Sequence, residues 1–83
     1  MTLEMLKNGA KTVVGVKQTL RVITNGKAKT VFIAADADHH VTDALKKACS
    51  EKQVECLEVP SLMELGKACG IQVGAAAAAL LKD

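Results

Sequence analysis

The sequence predicts an α/β fold in which helices cover both faces of a largely parallel or mixed sheet. Strand-like and helix-like patterns alternate along the chain, and this alternation is typical of layered α/β folds. Residues 29–35 are almost continuously apolar, as expected of a strand that is covered on both faces. The chain has 83 residues, so we expect a single domain over residues 1–83.

The first third of the chain predicts a helix, a strand and a second helix. Residues 2–8 have the pattern of a short helix. Residues 11–14 are rich in β-branched side chains and predict a short strand that stops at Gly15. A second helix then runs to the stop signal Asn25-Gly26, and its predicted buried stripe is Val16, Leu20 and Ile23.

A longer helix is predicted after the apolar strand. Asp38 is its natural N-cap, because an aspartate carboxylate can accept hydrogen bonds from the first free backbone amides of a helix. Apolar residues then recur at helical spacing, which predicts a buried stripe. The members of that stripe are Val41, Ala44, Leu45, Ala48 and Cys49.

The next two patterns are a strand and a short helix. Residues 54–59 predict the strand, which ends at Pro60. Ser61 and Glu64 then match the capping-box spacing that opens a helix. Gly70 closes this helix.

The alanine-rich stretch over residues 73–81 is predicted to be a strand in the middle of the sheet. Alanine favours helices on intrinsic scales and is depleted in strands. However, this stretch has no polar face, and a terminal helix on so small a domain would need one. A central strand is covered on both faces and needs none, and small side chains would let the helical layers approach closely.

Charge is distributed unevenly along the chain. Residues 1–30 contain six basic side chains and one acidic side chain, for a net charge of +5, whereas residues 31–83 have a net charge of −3. This asymmetry is compatible with an anionic partner for the first third or with a solvated basic face. Lys7, Lys11, Lys27 and Lys29 are expected to be solvated, with one or two of them near the backbone of any such partner.

The start of the second predicted helix carries groups that suit nucleic acid. Lys17, Gln18 and Arg21 fall on the exposed side of its first turns. A helix N-terminus attracts anions, lysine and arginine can donate to guanine O6 and N7, and glutamine can both donate and accept. Phe32 is the chain's one aromatic residue and lies in the apolar strand, so stacking of single-stranded bases on exposed rings is not expected.

Three stretches together resemble a known family. They are GVKQTLR over residues 15–21, IAADAD over residues 33–38, and LGKACGIQVGAAA over residues 65–77. These stretches resemble the kink-turn-binding large-subunit ribosomal proteins, and the resemblance covers essentially the whole chain. It is strongest to the short, stand-alone bacterial branch of that family. The resemblance implies a three-layer α/β/α sandwich with a mixed, roughly four-stranded sheet and non-enzymatic binding of RNA kink-turns.

The resemblance also implies which residues contact RNA. The family signature G-x-N-E-x-x-K falls on residues 15–21, and its polar positions contact the sheared guanines and the backbone. The family loop L-E-V-A falls on residues 71–74 and packs against the bulged strand. If residues 71–75 lie against RNA, the core of the final strand is expected further along, toward Leu81. The implied RNA-binding residues are Gly15, Val16, Lys17, Gln18, Arg21, Lys67, Ile71, Gln72, Val73, Gly74 and Ala75.

Two departures from the family pattern make this site less negative. Lys17-Gln18 stands where the family has Asn-Glu, and Gln72 stands where the loop usually has an acidic residue. Lys67 is compatible with two roles, since it can complement the dipole at a helix end or reach an RNA phosphate.

Other site types are less well supported by the sequence. Asp36, Asp38, His39 and His40 could suggest a metal or acid–base cluster, but a strand-to-helix turn with Asp38 as its cap is the favoured interpretation. The chain lacks the glycine-rich nucleotide-binding motifs. The three cysteines have no metal-site spacing and are expected to be small buried residues.

We therefore expect a monomeric, cytoplasmic RNA-binding protein that needs no cofactor or metal and has no membrane partner. The expected partner is a kink-turn in ribosomal RNA, a riboswitch or a leader RNA, and the ribosome is a further candidate partner. The alternative is a ribosome-associated protein adaptor that keeps the fold but has little RNA specificity. A small α/β enzyme ranks third.

Overall fold

The computed structural model describes residues 11–70 and 73–82. These residues form strands and helices that alternate as predicted, whereas the helix expected over residues 2–8 lies outside them. In chain order the elements are β1 (Thr12–Val14), α1 (Val16–Thr24), β2 (Ala28–Ala34), α2 (His39–Lys52), β3 (Glu55–Val59), α3 (Leu62–Ala68) and β4 (Ala77–Leu81).

The sheet is mixed, and its strand order is β1-β4-β2-β3. Strand β4 is antiparallel to both of its neighbours, and β2 is parallel to β3. Ala78 pairs with Val14 on one side and with Phe32 on the other. The prediction that the alanine-rich stretch is a central strand is therefore confirmed.

The small side chains of β4 separate two apolar layers. Ala77 and Ala79 are fully buried against α1 and α2, whereas Ala78 and Leu80 face the core on the α3 side. Successive side chains of a strand point to opposite faces, so one alanine run contributes to both cores. Helices on both faces of a mixed four-stranded sheet confirm the predicted three-layer α/β/α sandwich.

Strand β4 begins at Ala77, later than the predicted start at residue 73. The backbone before it is engaged elsewhere, because the amide of Ala75 donates to the carbonyl oxygen of Leu62 in α3 at 3.0 Å. The expectation that residues 73–81 are strand throughout is thus wrong for residues 73–76. The reason is that Ala75 bonds to a helix rather than to a neighbouring strand, and contact with β2 starts at the carbonyl oxygen of Ala76.

The buried faces of the helices differ in detail from the predicted stripes. In α1, Thr19, Val22 and Ile23 are buried, whereas Val16 and Leu20 are only half-buried, because the inward face is rotated from the predicted stripe. In α2, the predicted stripe is wrong at Ala44, which is exposed.

The longest helix, α2, has 14 residues. No helix formed by residues 11–70 or 73–82 is long and apolar enough to cross a membrane.

Candidate nucleic-acid interface

Three helices begin at one edge of the sheet. Because β4 is antiparallel to β1 and β2, and β2 is parallel to β3, the strands β1, β2 and β3 all run in the same direction. Each is followed directly by a helix, so α1, α2 and α3 all start at the edge where these strands end. We call this the carboxyl edge, and it is the edge at which open α/β sheets usually bind ligands.

At the carboxyl edge, α1 begins at Gly15. This glycine has φ 106° and ψ 151°, a conformation that is essentially restricted to glycine. Its carbonyl oxygen accepts the first helical hydrogen bond from the amide of Thr19 at 3.0 Å. Glycine has no side chain with which to cap the helix, and the first turn carries no acidic residue. The first backbone N–H groups of α1 are therefore available to an anion.

The polar side chains predicted at the start of α1 lie on its solvent side. Lys17, Gln18 and Arg21 are exposed, and Val16 is half-buried. The prediction that these three side chains share an exposed face is confirmed. This face combines two permanent cations, an amide group and a free helix N-terminus.

The other two helices at this edge have side-chain caps. Oδ1 of Asp38 accepts from the amide of His40 at 2.8 Å at the start of α2, as predicted. Oγ of Ser61 accepts from the amide of Glu64 at 3.1 Å at the start of α3. Among the helices of the described ranges, α1 alone offers an uncapped N-terminus.

The second predicted segment reaches the same edge just before β4. Val73 is 67% exposed, Gly74 is exposed, and Ala75 is buried. The carbonyl oxygen of the following residue, Ala76, accepts from the amide of Ala34 at the end of β2, at 2.9 Å. The structure therefore brings residues 73–75 to the carboxyl edge, where α1 also begins. Ile71 and Gln72 lie outside the described residues.

Lys67 is exposed in the last turn of α3. Its neighbour Gly66 contacts the backbone of Val73, so Lys67 lies on the helix against which the second segment packs. The position is suitable both for a cation that complements the helix dipole and for one that reaches a phosphate.

The acidic residues after β2 act as helix caps. Besides the Asp38 cap, Oδ1 of Asp36 accepts from the amide of Leu62 at the start of α3, at 2.7 Å. The rings of His39 and His40 lie 4.6 Å apart and are exposed. Within residues 11–70 and 73–82, no group of three or more His, Cys, Asp or Glu side chains is arranged to hold a metal ion.

Sequence reasoning missed two features of this edge. One is the role of Asp36 as a cap for α3, which joins residues distant in sequence and leaves no local signal. The other is the contact of Gly66 with the 73–75 segment. A glycine inside a helix is unfavourable relative to alanine, so its presence could have indicated close packing.

The three cysteines are not activated nucleophiles. Cys49 is buried, whereas Cys56 and Cys69 are half-buried, so the expectation of three buried cysteines is only partly right. Burial raises the pKa of all three thiols, and that of Cys49 is raised to about 12. A raised pKa keeps a thiol protonated and unreactive.

A family model supports the resemblance that the sequence suggested. The model described as the ribosomal protein L7Ae/L30e/S12e/Gadd45 family matches residues 2–83. The chain belongs to this family.

Relatives within the L7Ae/L30e/S12e/Gadd45 family are similar over their full length. A protein named as an RNA-binding protein from Geobacillus sp. (strain WCH70) is 46% identical over 82 residues, which are 99% of this chain and 100% of the relative. The RNA-binding protein YbxF of Geobacillus stearothermophilus is 43% identical over the same shares of both chains.

Solved structures show the same fold as this family member. The 15.5 kD RNA-binding protein of Giardia lamblia has a TM-score of 0.85 and 32% identity, with 98% of this chain and 68% of that chain covered. A protein of unknown function from Bacillus halodurans also has a TM-score of 0.85, with 21% identity and coverage of 96% of this chain and 80% of that chain. The second similarity bears on the fold alone.

Proposed function

We propose that this L7Ae-family protein is a non-enzymatic RNA-binding protein that recognises kink-turns and stabilises their bent form. One observation supports the proposal: the uncapped, basic start of α1 and the 73–75 segment, in which Val73 and Gly74 are exposed and Ala75 is buried, lie at the same edge of the sheet. Membership of a ribosomal-protein family and the names of the relatives support a binding protein rather than an enzyme.

The start of α1 is suited to the sheared G·A pairs of a kink-turn. Lys17 and Arg21 are exposed and can donate to guanine O6 and N7 or to phosphates. Gln18 can donate to one base edge and accept from another. The free N–H groups of the first turn add a site for a phosphate oxygen. Because α1 carries no carboxylate, its charge does not oppose the RNA.

The 73–75 segment is suited to the bulge beside those pairs. Val73 presents an exposed apolar side chain, and Gly74 allows close approach of the backbone. Phe32, the one Phe, Tyr or Trp in the sequence, is 1% exposed, so no ring of these three types is available for stacking. Recognition therefore depends on the shape of folded RNA, its phosphates and its base edges.

Both contacting segments belong to one chain, so a monomer is sufficient. Binding two parts of the bend at once favours the bent RNA over the extended form, which couples RNA folding to binding. The kink-turn can belong to ribosomal RNA, a riboswitch or a leader RNA, and association with the ribosome in the cytoplasm is consistent with the family.

The test is titration of the protein into two short RNA duplexes. One contains a standard kink-turn, and the other has Watson–Crick pairs in place of the G·A pairs. Fluorescence transfer between the duplex ends reports bending. Tight binding with bending of the first duplex only supports the proposal. Equal, weak binding to both duplexes contradicts the proposal and favours the adaptor alternative. The affinity of such an adaptor for a protein partner should depend little on salt concentration.

A further inference from the structure

Leu62 connects two loops through its backbone. Its amide donates to Oδ1 of Asp36 at 2.7 Å, and its carbonyl oxygen accepts from the amide of Ala75 at 3.0 Å. Asp36 lies in the turn after β2, and Ala75 lies in the segment that precedes β4. Leu62, the first residue of α3, is therefore hydrogen-bonded to both loops.

Two glycines allow the 73–75 segment to lie directly on α3. A Cβ atom at Gly66 would overlap the carbonyl oxygen of Val73 and lie 3.1 Å from its carbonyl carbon. A Cβ atom at Gly74 would lie 2.9 Å from Cβ of Leu62. Backbone atoms cannot rotate away from such an overlap as the end of a long side chain can. A side chain at Gly66 would therefore displace the segment.

We propose that Asp36 and Gly66 are positioning residues for RNA recognition. Asp36 fixes the start of α3 through the amide of Leu62, and Gly66 lets the 73–75 segment pack against that helix with Val73 facing outward. Neither residue needs to touch the RNA. This inference rests on the proposed function, because the segment that these residues position is the one assigned to the bulge.

The role of Asp36 can be separated from the effect of its charge. Asp36 is an exposed acid at an edge proposed to bind a polyanion. If it acted only through charge, any neutral replacement would strengthen RNA binding. If it acts by holding Leu62, a replacement that cannot accept the hydrogen bond should weaken binding despite the loss of negative charge.

The experiment compares Asp36→Ala with Asp36→Asn on the kink-turn duplex. Both variants lose the same charge, but the amide oxygen of asparagine can still accept from Leu62. We expect Asp36→Ala to bind about five- to tenfold more weakly than the parent, as for the loss of one ordinary hydrogen bond. We expect Asp36→Asn to bind at least as tightly as the parent. Equal affinities of the two variants would overturn the positioning role of Asp36.

Gly66→Ala tests the contact on the other side of the segment. Alanine has a higher helix propensity than glycine, so the change does not weaken α3 itself. We expect amide signals of residues 73–75 to shift in a ¹H–¹⁵N spectrum and kink-turn affinity to fall at least about tenfold. Ser50→Ala, at an exposed site on α2, is the control and should bind like the parent. Shifted signals with unchanged affinity would overturn the proposal.

The proposed function and the positioning role of Asp36 and Gly66 are contradicted by different results. If the parent protein does not bind the kink-turn duplex, the proposed function fails, and the positioning role fails with it. If the parent binds but both Asp36 variants bind alike, only the positioning role fails. The Asp36 comparison also decides the inference if Gly66→Ala does not fold.

Discussion

The amide of Gly15 donates a 2.8 Å hydrogen bond to the carbonyl oxygen of Ala77. This bond joins the residue before α1 to the first residue of β4, so the starts of α1 and β4 meet at the carboxyl edge. The strand pairing continues the contact, since Val14 is opposite Ala78. The relative position of the two proposed RNA-contacting segments is therefore fixed by the sheet itself.

Replacing Gly15 by alanine should destabilise the protein through backbone strain. Nothing lies within 4 Å of a Cβ atom at this position, so steric overlap is not the cause. The φ of 106° and ψ of 151° are the cause, and we expect the free energy of unfolding to fall by about 1–3 kcal/mol. Urea unfolding of the parent and Gly15→Ala measures this difference. An unchanged midpoint would show that the helix start relaxes freely.

Replacing a central alanine of β4 with a larger residue should lower the free energy of unfolding. Ala79 is fully buried between β1 and β2 and faces α1 and α2. Leucine at this position would overpack the layer, and we expect a loss of about 1–3 kcal/mol in the free energy of unfolding. The matched control is Ala44→Leu, because Ala44 is exposed on α2, and it should change stability by less than about 0.5 kcal/mol. Similar losses in both variants would contradict this account of β4.

Removing either Lys17 or Arg21 of α1 should weaken RNA binding and make the binding constant less dependent on salt concentration. Each of Lys17→Ala and Arg21→Ala removes an exposed charge at the carboxyl edge. If that charge contacts a phosphate, the slope of log K against log salt should fall in magnitude by about 1. The control is Lys52→Ala, since Lys52 is exposed at the far end of α2. Equal effects of all three variants would indicate unspecific charge attraction.

The raised pKa of Cys49 should make stability fall in alkaline solution. Burial, followed by the charge of Cys56 and a hydrogen bond with it, raises the pKa of Cys49 from 9.0 to about 12. The unfolded chain loses this proton near pH 9, whereas the folded protein keeps it until near pH 12. Its stabilising contribution is therefore complete below pH 9 and declines as the pH rises towards 12.

Comparison with Cys49→Ala separates the contribution of the interacting thiols Cys49 and Cys56 from the titration of groups elsewhere. The cavity that alanine leaves lowers stability by an amount that does not depend on pH, whereas the contribution of the Cys49 thiol does depend on pH. Between about pH 8 and about pH 10, the parent should lose more unfolding free energy than the variant does. Parallel pH profiles would show that Cys49 does not titrate on unfolding as described.

The sequence predicted the structure best where a local residue pattern was compatible with only one kind of element or contact. The absence of a polar face over residues 73–81 identified a central strand despite the helix propensity of alanine. The exposed face of α1 followed from the i, i+4 spacing of Lys17 and Arg21. Asp38 was recognised as a cap because its partner, the amide of His40, is close in sequence.

Long-range contacts explain what the sequence did not reveal. The bond from the amide of Leu62 to Asp36 and the contact of Gly66 with Val73 depend on how distant segments meet. The late start of β4 has the same origin, because Ala75 bonds to α3 instead of to a strand. Tertiary contacts decided these details, and local propensity did not.

The most direct test of the central claim is an amide ¹H–¹⁵N titration of the labelled protein with the kink-turn duplex. We predict that the largest shifts occur at residues 15–21 and 73–75, at the carboxyl edge. Residues at the far end of α2, such as Ser50 and Lys52, should change little. Shifts concentrated at that far end, or absent from both proposed segments, would contradict the account.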